Sequence, residues 1–185
     1  MSPKASRATR LVALLRGINV GGRNKLPMAD LRRIALQCGW TDVATFIQSG
    51  NLLFTAAIDQ IAAAKTLERA IAEDLGFAVP VVVRQLAALR ADLAACPLAA
   101  ALCERPGHLH LGVSREPFPK SLPAALAPYC KAGEQIAVRG GALWVDFTGG
   151  VARSKLTSAV LDRAVGGTVT LRNSRTIAAI AAMPG

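Results

Sequence analysis

The segment Arg16-Gly17-Ile18-Asn19-Val20-Gly21-Gly22 sets a cation and an amide side chain among three glycines, a composition suited to cupping an anion with backbone amides. Gly17 and Gly22 have the GxxxxG spacing of a phosphate-binding loop, but Arg23-Asn24 stand where that motif has Lys and Ser/Thr. Pro27 also delays the following helix, whereas a phosphate loop runs straight into one so that its dipole faces the phosphate. Nucleoside triphosphate hydrolysis is therefore not the expected chemistry. A second glycine pair, Gly149-Gly150, precedes Ser154 and reads as an anion site at a helix N-terminus, with Arg153 and Lys155 alongside, Arg172 and Arg175 able to reach the same end, and Asn173 able to orient a ligand or tie the turn. Ser49 and Asn51 flank Gly50 in a turn that can join the first loop.

Other constellations are poor. His108 and His110 fall on one strand face, but only Cys103 lies near them, so no metal site is expected. Ser49 lacks a nucleophile elbow, and Ser154 and Lys155 are neighbours about 100° apart on a helix. Asp146 alternates with Val145 and Phe147, which predicts an outward charge rather than a general acid. The residues thus identify no nucleophile and imply no cofactor, and no reaction is assigned.

These loops need elements to hold them. A strand at 11–17 leads to a helix opening at Pro27, in which Met28, Leu31, Ala35 and Cys38 recur at helical spacing before Gly39. Strands at 43–48 and 52–55 flank Ser49-Gly50 and read as a hairpin. A helix carrying Ile61, Ala64, Ile71 and Leu75 stops at Gly76, and a strand follows at 79–83. The order βαββαβ then repeats: strand 108–113, helix 122–129, strands 134–138 and 143–147 around Gly140-Gly141, helix 154–165 and strand 168–171. A linking helix at 86–95 and a terminal helix at 177–183 complete the plan.

The expected fold is α+β, with two tandem ferredoxin-like (βαββαβ) subdomains. Residues 1–10 read as a disordered basic tail, 11–84 as the first subdomain and 85–185 as the second. In such a plan strands 1 and 2 run parallel, which brings the 16–22 loop beside the Ser49 turn; strands 3 and 4 likewise bring 148–155 beside 172–175.

Composition narrows the classes. The apolar runs fall far short of a membrane span, and the apolar stretch after the basic N-terminus is too short for a signal peptide, so a soluble cytoplasmic protein is expected. Cys38, Cys96, Cys103 and Cys130 show no paired spacing and are expected as free thiols. The net charge of +10 invites a nucleic-acid reading, but it divides as +5 in residues 1–84 and +5 in 85–185, without a concentrated stripe. With aromatics at 4%, base stacking is poorly served. The favoured partner is a small phosphate-bearing or other anionic molecule. A nucleic-acid-binding accessory protein and an interaction module without a ligand are the alternatives.

The motifs RGINVGG, LPMADLR, TFIQSGN, ARSKL and LRNSRT, in that order between about Leu11 and Ala182, resemble the bacterial family catalogued as domain of unknown function 1697. The loop and the SGN turn carry the most specific part of the resemblance. In the second half Ser174 stands where the family's RN pair is usually followed by an aromatic residue. The resemblance implies a duplicated α+β architecture and brings no established activity.

Overall fold

A computed structural model describes residues 7–184. The basic tail expected at 1–10 falls largely outside them; Thr9 and Arg10, however, belong to the first strand, where they pair with Ala56 and Thr55. The chain divides into two compact units, one ending at Leu86 and the other spanning Ala87 to Pro184.

The first unit follows the order β1 (Thr9–Leu15), α1 (Met28–Gln37), β2 (Thr41–Phe46), β3 (Asn51–Ala56), α2 (Gln60–Leu75) and β4 (Val81–Gln85). Its four strands form one antiparallel sheet in the order β2-β3-β1-β4. Because β1 and β2 are each antiparallel to β3, they leave the sheet at the same end. Leu11, Ala13 and Leu15 alternate onto one face with Leu52, Phe54, Val81 and Val83, and α1 and α2 cover that face. From α1 come Leu31, Ile34 and Ala35, and from α2 Ala64, Leu67 and Ile71, the repeats of three and four that make one helical stripe.

The caps of α2 explain its bounds. Asp59 Oδ1 accepts from the amides of Ile61 and Ala62, both at 2.9 Å, and Gly76 closes the helix at φ +76°. Asp59→Ala should cost about 0.5–2 kcal/mol of stability, read as a shift in the urea midpoint with an unchanged slope. An unmoved midpoint would show that the cap contributes nothing.

The second unit runs α3 (Leu86–Ala94), α4 (Ala99–Glu104), β5 (Leu109–Ser114), α5 (Leu122–Leu126), β6 (Gln135–Arg139), β7 (Ala142–Asp146), α6 (Ser158–Val165), β8 (Val169–Asn173) and α7 (Ser174–Ala182). The sheet is again antiparallel, in the order β6-β7-β5-β8. Leu143, Val145, Phe147 and Val169 meet Leu122 and Leu126 of α5 and Leu161 of α6 on one face. Gly140-Gly141 is the two-residue link between β6 and β7, while Ser49-Gly50 closes a four-residue turn between β2 and β3.

Three elements depart from the sequence reading. The helix α4, six residues in an alanine-rich stretch, was not expected. The helix placed at Ser154 starts at Ser158, behind Thr157, whose hydroxyl accepts from Val160 N. Ser154 Oγ instead accepts from Leu156 N, a local turn that competes with helix, and Leu156 enters the core. The terminal helix begins at Ser174 rather than Ile177, because Asn173 caps it by accepting from Thr176 N at 2.9 Å. Residues 172–175 are therefore a strand end and a helix start, with no loop between.

All four cysteines are free. Burial pushes the Cys38, Cys96 and Cys130 thiols up, which disfavours the reactive thiolate. Among the described residues no helix is long and apolar enough to cross a membrane.

Candidate functional site

The RGINVGG segment folds as a small hairpin of its own. Val20 and Arg23 pair across Gly21-Gly22, with Arg23 N donating to Val20 O at 3.1 Å, and Asn19 N donates to Asn24 O at 3.1 Å. Gly21 and Gly22 have φ +58° and +76°, the two left-handed residues that a type I′ turn demands. A Cβ on either would meet nothing, so glycine is present here for backbone freedom alone.

Asn19 fastens this hairpin to the rest of the sheet end. Its Oδ1 accepts from Leu26 N at 2.9 Å, while its Nδ2 donates to Leu26 O at 3.0 Å and to Gln48 O at 2.9 Å. Asn24 Nδ2 donates to Gly17 O at 3.0 Å and ties the base of the hairpin. Asn51 is fully buried, and its Nδ2 donates to Phe46 O at 2.9 Å and to Ser49 Oγ at 3.2 Å. Gly50 packs so closely under Ile18 and Leu15 that a Cβ would lie 2.6 Å from Ile18 Cδ1 and 2.8 Å from Leu15 Cβ. The 16–22 loop and the Ser49 turn thus meet in one structure. Asn19 and Asn51 are its ties, with side-chain amides already engaged by backbone.

What this end offers to solvent is basic and aliphatic. Residues 16–26 contain Arg16, Arg23 and Lys25 and no Asp or Glu. Gly21, Gly22, Arg23 and Lys25 are exposed, and among the described residues Arg23 and Lys25 form no ion pair. The nearest acid on α1, Asp30, and Asp74 of α2 are both held by Arg33. Val20 is 68% exposed and Ile47 49%, and they adjoin the two ends of the Asn19–Gln48 bond. Ile47 also has φ +51°, a conformation that costs a β-branched residue on the order of 1–3 kcal/mol and concentrates at functional positions.

The second-unit residues do not form one cluster. Ser154 Oγ donates to Glu134 Oε1, and Glu134 Oε2 accepts from Ala132 N at 2.8 Å, so a carboxylate occupies the space beside Ser154. Gly149 packs on Ala132, with a Cβ position only 3.1 Å from that residue's Cβ, which makes it a close-packing glycine. Gly150, at φ +85°, opens a 3-10 turn, Val151–Arg153, rather than an α-helix. Lys155 is exposed. Arg172 is a strand residue, paired with Leu111, on the face opposite Leu171 and therefore opposite α5 and α6. It is half-buried rather than exposed, and burial pushes its guanidinium down to about 10. Asn173 spends its side chain on capping α7.

Asp146 corrects another expectation. It is fully buried, and Arg105 grips it through Nε at 3.0 Å and Nη2 at 2.7 Å, with Thr148 Oγ1 3.3 Å away. Arg105 lies 41 residues away in sequence, so no local pattern could have linked the pair. His110 faces Phe147 edge-on and contacts His108 O through Nδ1 at 2.9 Å; burial lowers its pKa, which favours the neutral ring. A cleft of about 490 Å³ between α1 and α2, lined by Cys38, Thr66, Arg69 and Glu73 among others, includes none of the candidate ligand-binding residues.

No curated protein matches the chain significantly. Among solved structures, the conserved bacterial protein SP0830 from Streptococcus pneumoniae is similar over 94% of this chain and 97% of its own, with a TM-score of 0.65 at 23% sequence identity. That likeness is one of fold. The family model described as protein of unknown function (DUF1697) matches residues 8–144, which include the glycine hairpin, the Ser49 turn, the first two strands of the second sheet and part of the third, and the chain belongs to that family.

Proposed function

We propose that the protein binds a small phosphate-bearing or other anionic molecule at the loop end of its first unit. The observation that carries this reading is the exposed Gly21-Gly22 hairpin, held rigid by Asn19 and Asn24 and flanked by Arg23 and Lys25 with no acid in the segment. Rigid amides beside uncompensated cations favour an anion because neither partner must reorganise to meet it. Arg16 and Ser49 border the same end. In this reading residues 11–84 and 85–185 are tandem ferredoxin-like subdomains, a plan that the strand orders support, and free thiols fit a cytoplasmic location. No reaction is part of the proposal.

Titration of the full chain with inorganic phosphate at constant ionic strength should shift the Gly21 and Gly22 amide resonances. Arg23→Gln with Lys25→Gln should weaken that response at least fivefold while leaving Tm within about 2 °C, since exposed charges contribute little to stability. Amides that ignore phosphate would refute the reading. The net charge of +10 favours a second reading, contact with nucleic acid. Tight binding of a single-stranded oligonucleotide that collapses steeply as salt rises would replace the first reading with that one.

A further inference from the structure

The loop end of the first unit combines its charge with two aliphatic side chains, Val20 and Ile47, that the fold leaves in solvent. The Asn19–Gln48 bond, at 2.9 Å, ties the chain neighbours of these two residues together, so both stand at one end of the sheet. Arg23 pairs with Val20 across the hairpin, and Lys25 precedes Leu26, whose backbone Asn19 holds. Two exposed aliphatics and two exposed cations are thus gathered, and residues 16–26 and 47–51 contain no acid.

Ile47 is poorly suited to solvent twice over. Much of its apolar surface stays wet, and at φ +51° it holds a left-handed backbone that Gly or Asn accepts far more readily. Val20 and Ile47 both lie outside the hydrophobic core of the unit, so its packing gains nothing from either. The hairpin tip between Val20 and Arg23 stands free, since a Cβ on Gly21 or Gly22 would meet nothing within 4 Å. A rigid, free-standing tip is shaped to meet phosphates presented on a surface, and needs no cavity of its own.

We propose that this end docks on an anionic phospholipid bilayer, with Arg23 and Lys25 on headgroup phosphates and Val20 and Ile47 inserted just beneath the headgroups. The contact is peripheral and involves no span. A negatively charged leaflet attracts Lys and Arg, each strengthening binding about fivefold, and the layer beneath the headgroups takes up aliphatic groups that water expels. Nucleic acid presents phosphates too, but proteins grip its bases with aromatic faces, and Val20 and Ile47 are aliphatic. The proposal rests on the reading of this end as an anion site and names the lipid headgroup as the carrier of the phosphate.

The test is cosedimentation of the full chain with vesicles. Vesicles of phosphatidylserine and phosphatidylcholine in equal parts should bind it roughly tenfold or more above vesicles of phosphatidylcholine alone, because two cations act together. Val20→Ser with Ile47→Asn should weaken binding to the anionic vesicles about tenfold, through the apolar area no longer taken out of water. In urea the same variant should be as stable as the parent or more so, because both residues lie in solvent and Asn tolerates the left-handed backbone. Its Gly21 and Gly22 amides should still respond to inorganic phosphate as the parent's do. Phosphate shifts without vesicle binding would leave the anion reading standing and overturn the bilayer inference; loss of both would overturn the two together. Equal vesicle binding by the parent and the Val20→Ser, Ile47→Asn variant would mean adsorption by charge alone, and the proposal fails. If that variant instead loses affinity for a single-stranded oligonucleotide while keeping it for vesicles, the aliphatic pair serves nucleic acid, and the proposal fails as well.

Discussion

Gly50→Ala is expected to destabilise the protein by about 2–5 kcal/mol, far more than alanine at a neighbouring glycine. Gly50 has φ +79°, where an L-residue pays about 1–2 kcal/mol. The added methyl would also lie 2.8 Å from Leu15 Cβ, an atom fixed by the backbone of a central strand, and overpacking of this kind costs about 1–3 kcal/mol. Ile18 Cδ1, at 2.6 Å, could rotate away, but only by giving up its place beneath the hairpin. Gly21→Ala is the control. Its backbone is equally left-handed, yet a Cβ there meets nothing, so only the conformational cost of about 1–2 kcal/mol should be seen. Urea unfolding of both variants decides the matter: equal midpoints would mean that the contact beneath the Ser49 turn is slack.

Phe54→Ala should cost about 3–5 kcal/mol, the range for removing a buried aromatic ring. Phe54 is fully buried in β3 and stacks on Trp40, with ring centroids 3.9 Å apart and planes inclined by 13°. Trp40 follows the last turn of α1, so the pair fastens that helix to the sheet that carries the loop end. The variant should show a lowered unfolding midpoint and a changed near-ultraviolet circular dichroism signal, because Trp40 loses its stacking partner. A loss below about 1 kcal/mol would show that the surrounding side chains collapse into the space.

The hairpin at Gly140-Gly141 and the order of elements were legible because their signals are local: apolar spacing, glycine stops and turn dipeptides. So was the meeting of the 16–22 loop with the Ser49 turn, which follows from strand direction once the order βαββαβ is known. Helix starts were less legible. Asn173, followed by Ile177 and Ile180 at helical spacing, was a usable cap signal for α7, but its place directly after a strand disguised it as a turn residue. At Ser154 a local side-chain turn delayed the helix, and the apolar spacing alone could not reveal it.

The sequence by itself determined the duplicated order of strands and helices and the left-handed glycines of the loop end, because periodicity and backbone sterics act within a few residues. Only the tertiary structure decided which polar side chains are spent and which remain for a ligand. Asn19 and Ser154 are engaged by groups that chain folding brings to them from Gln48 and Glu134, and Asp146 is buried because Arg105 arrives from another element. Arg172 is turned away from the Gly149-Gly150 loop by strand register, since a shift of one residue along β8 reverses its face. Such partners are set by contacts between distant segments, and the sequence of either segment alone does not specify them.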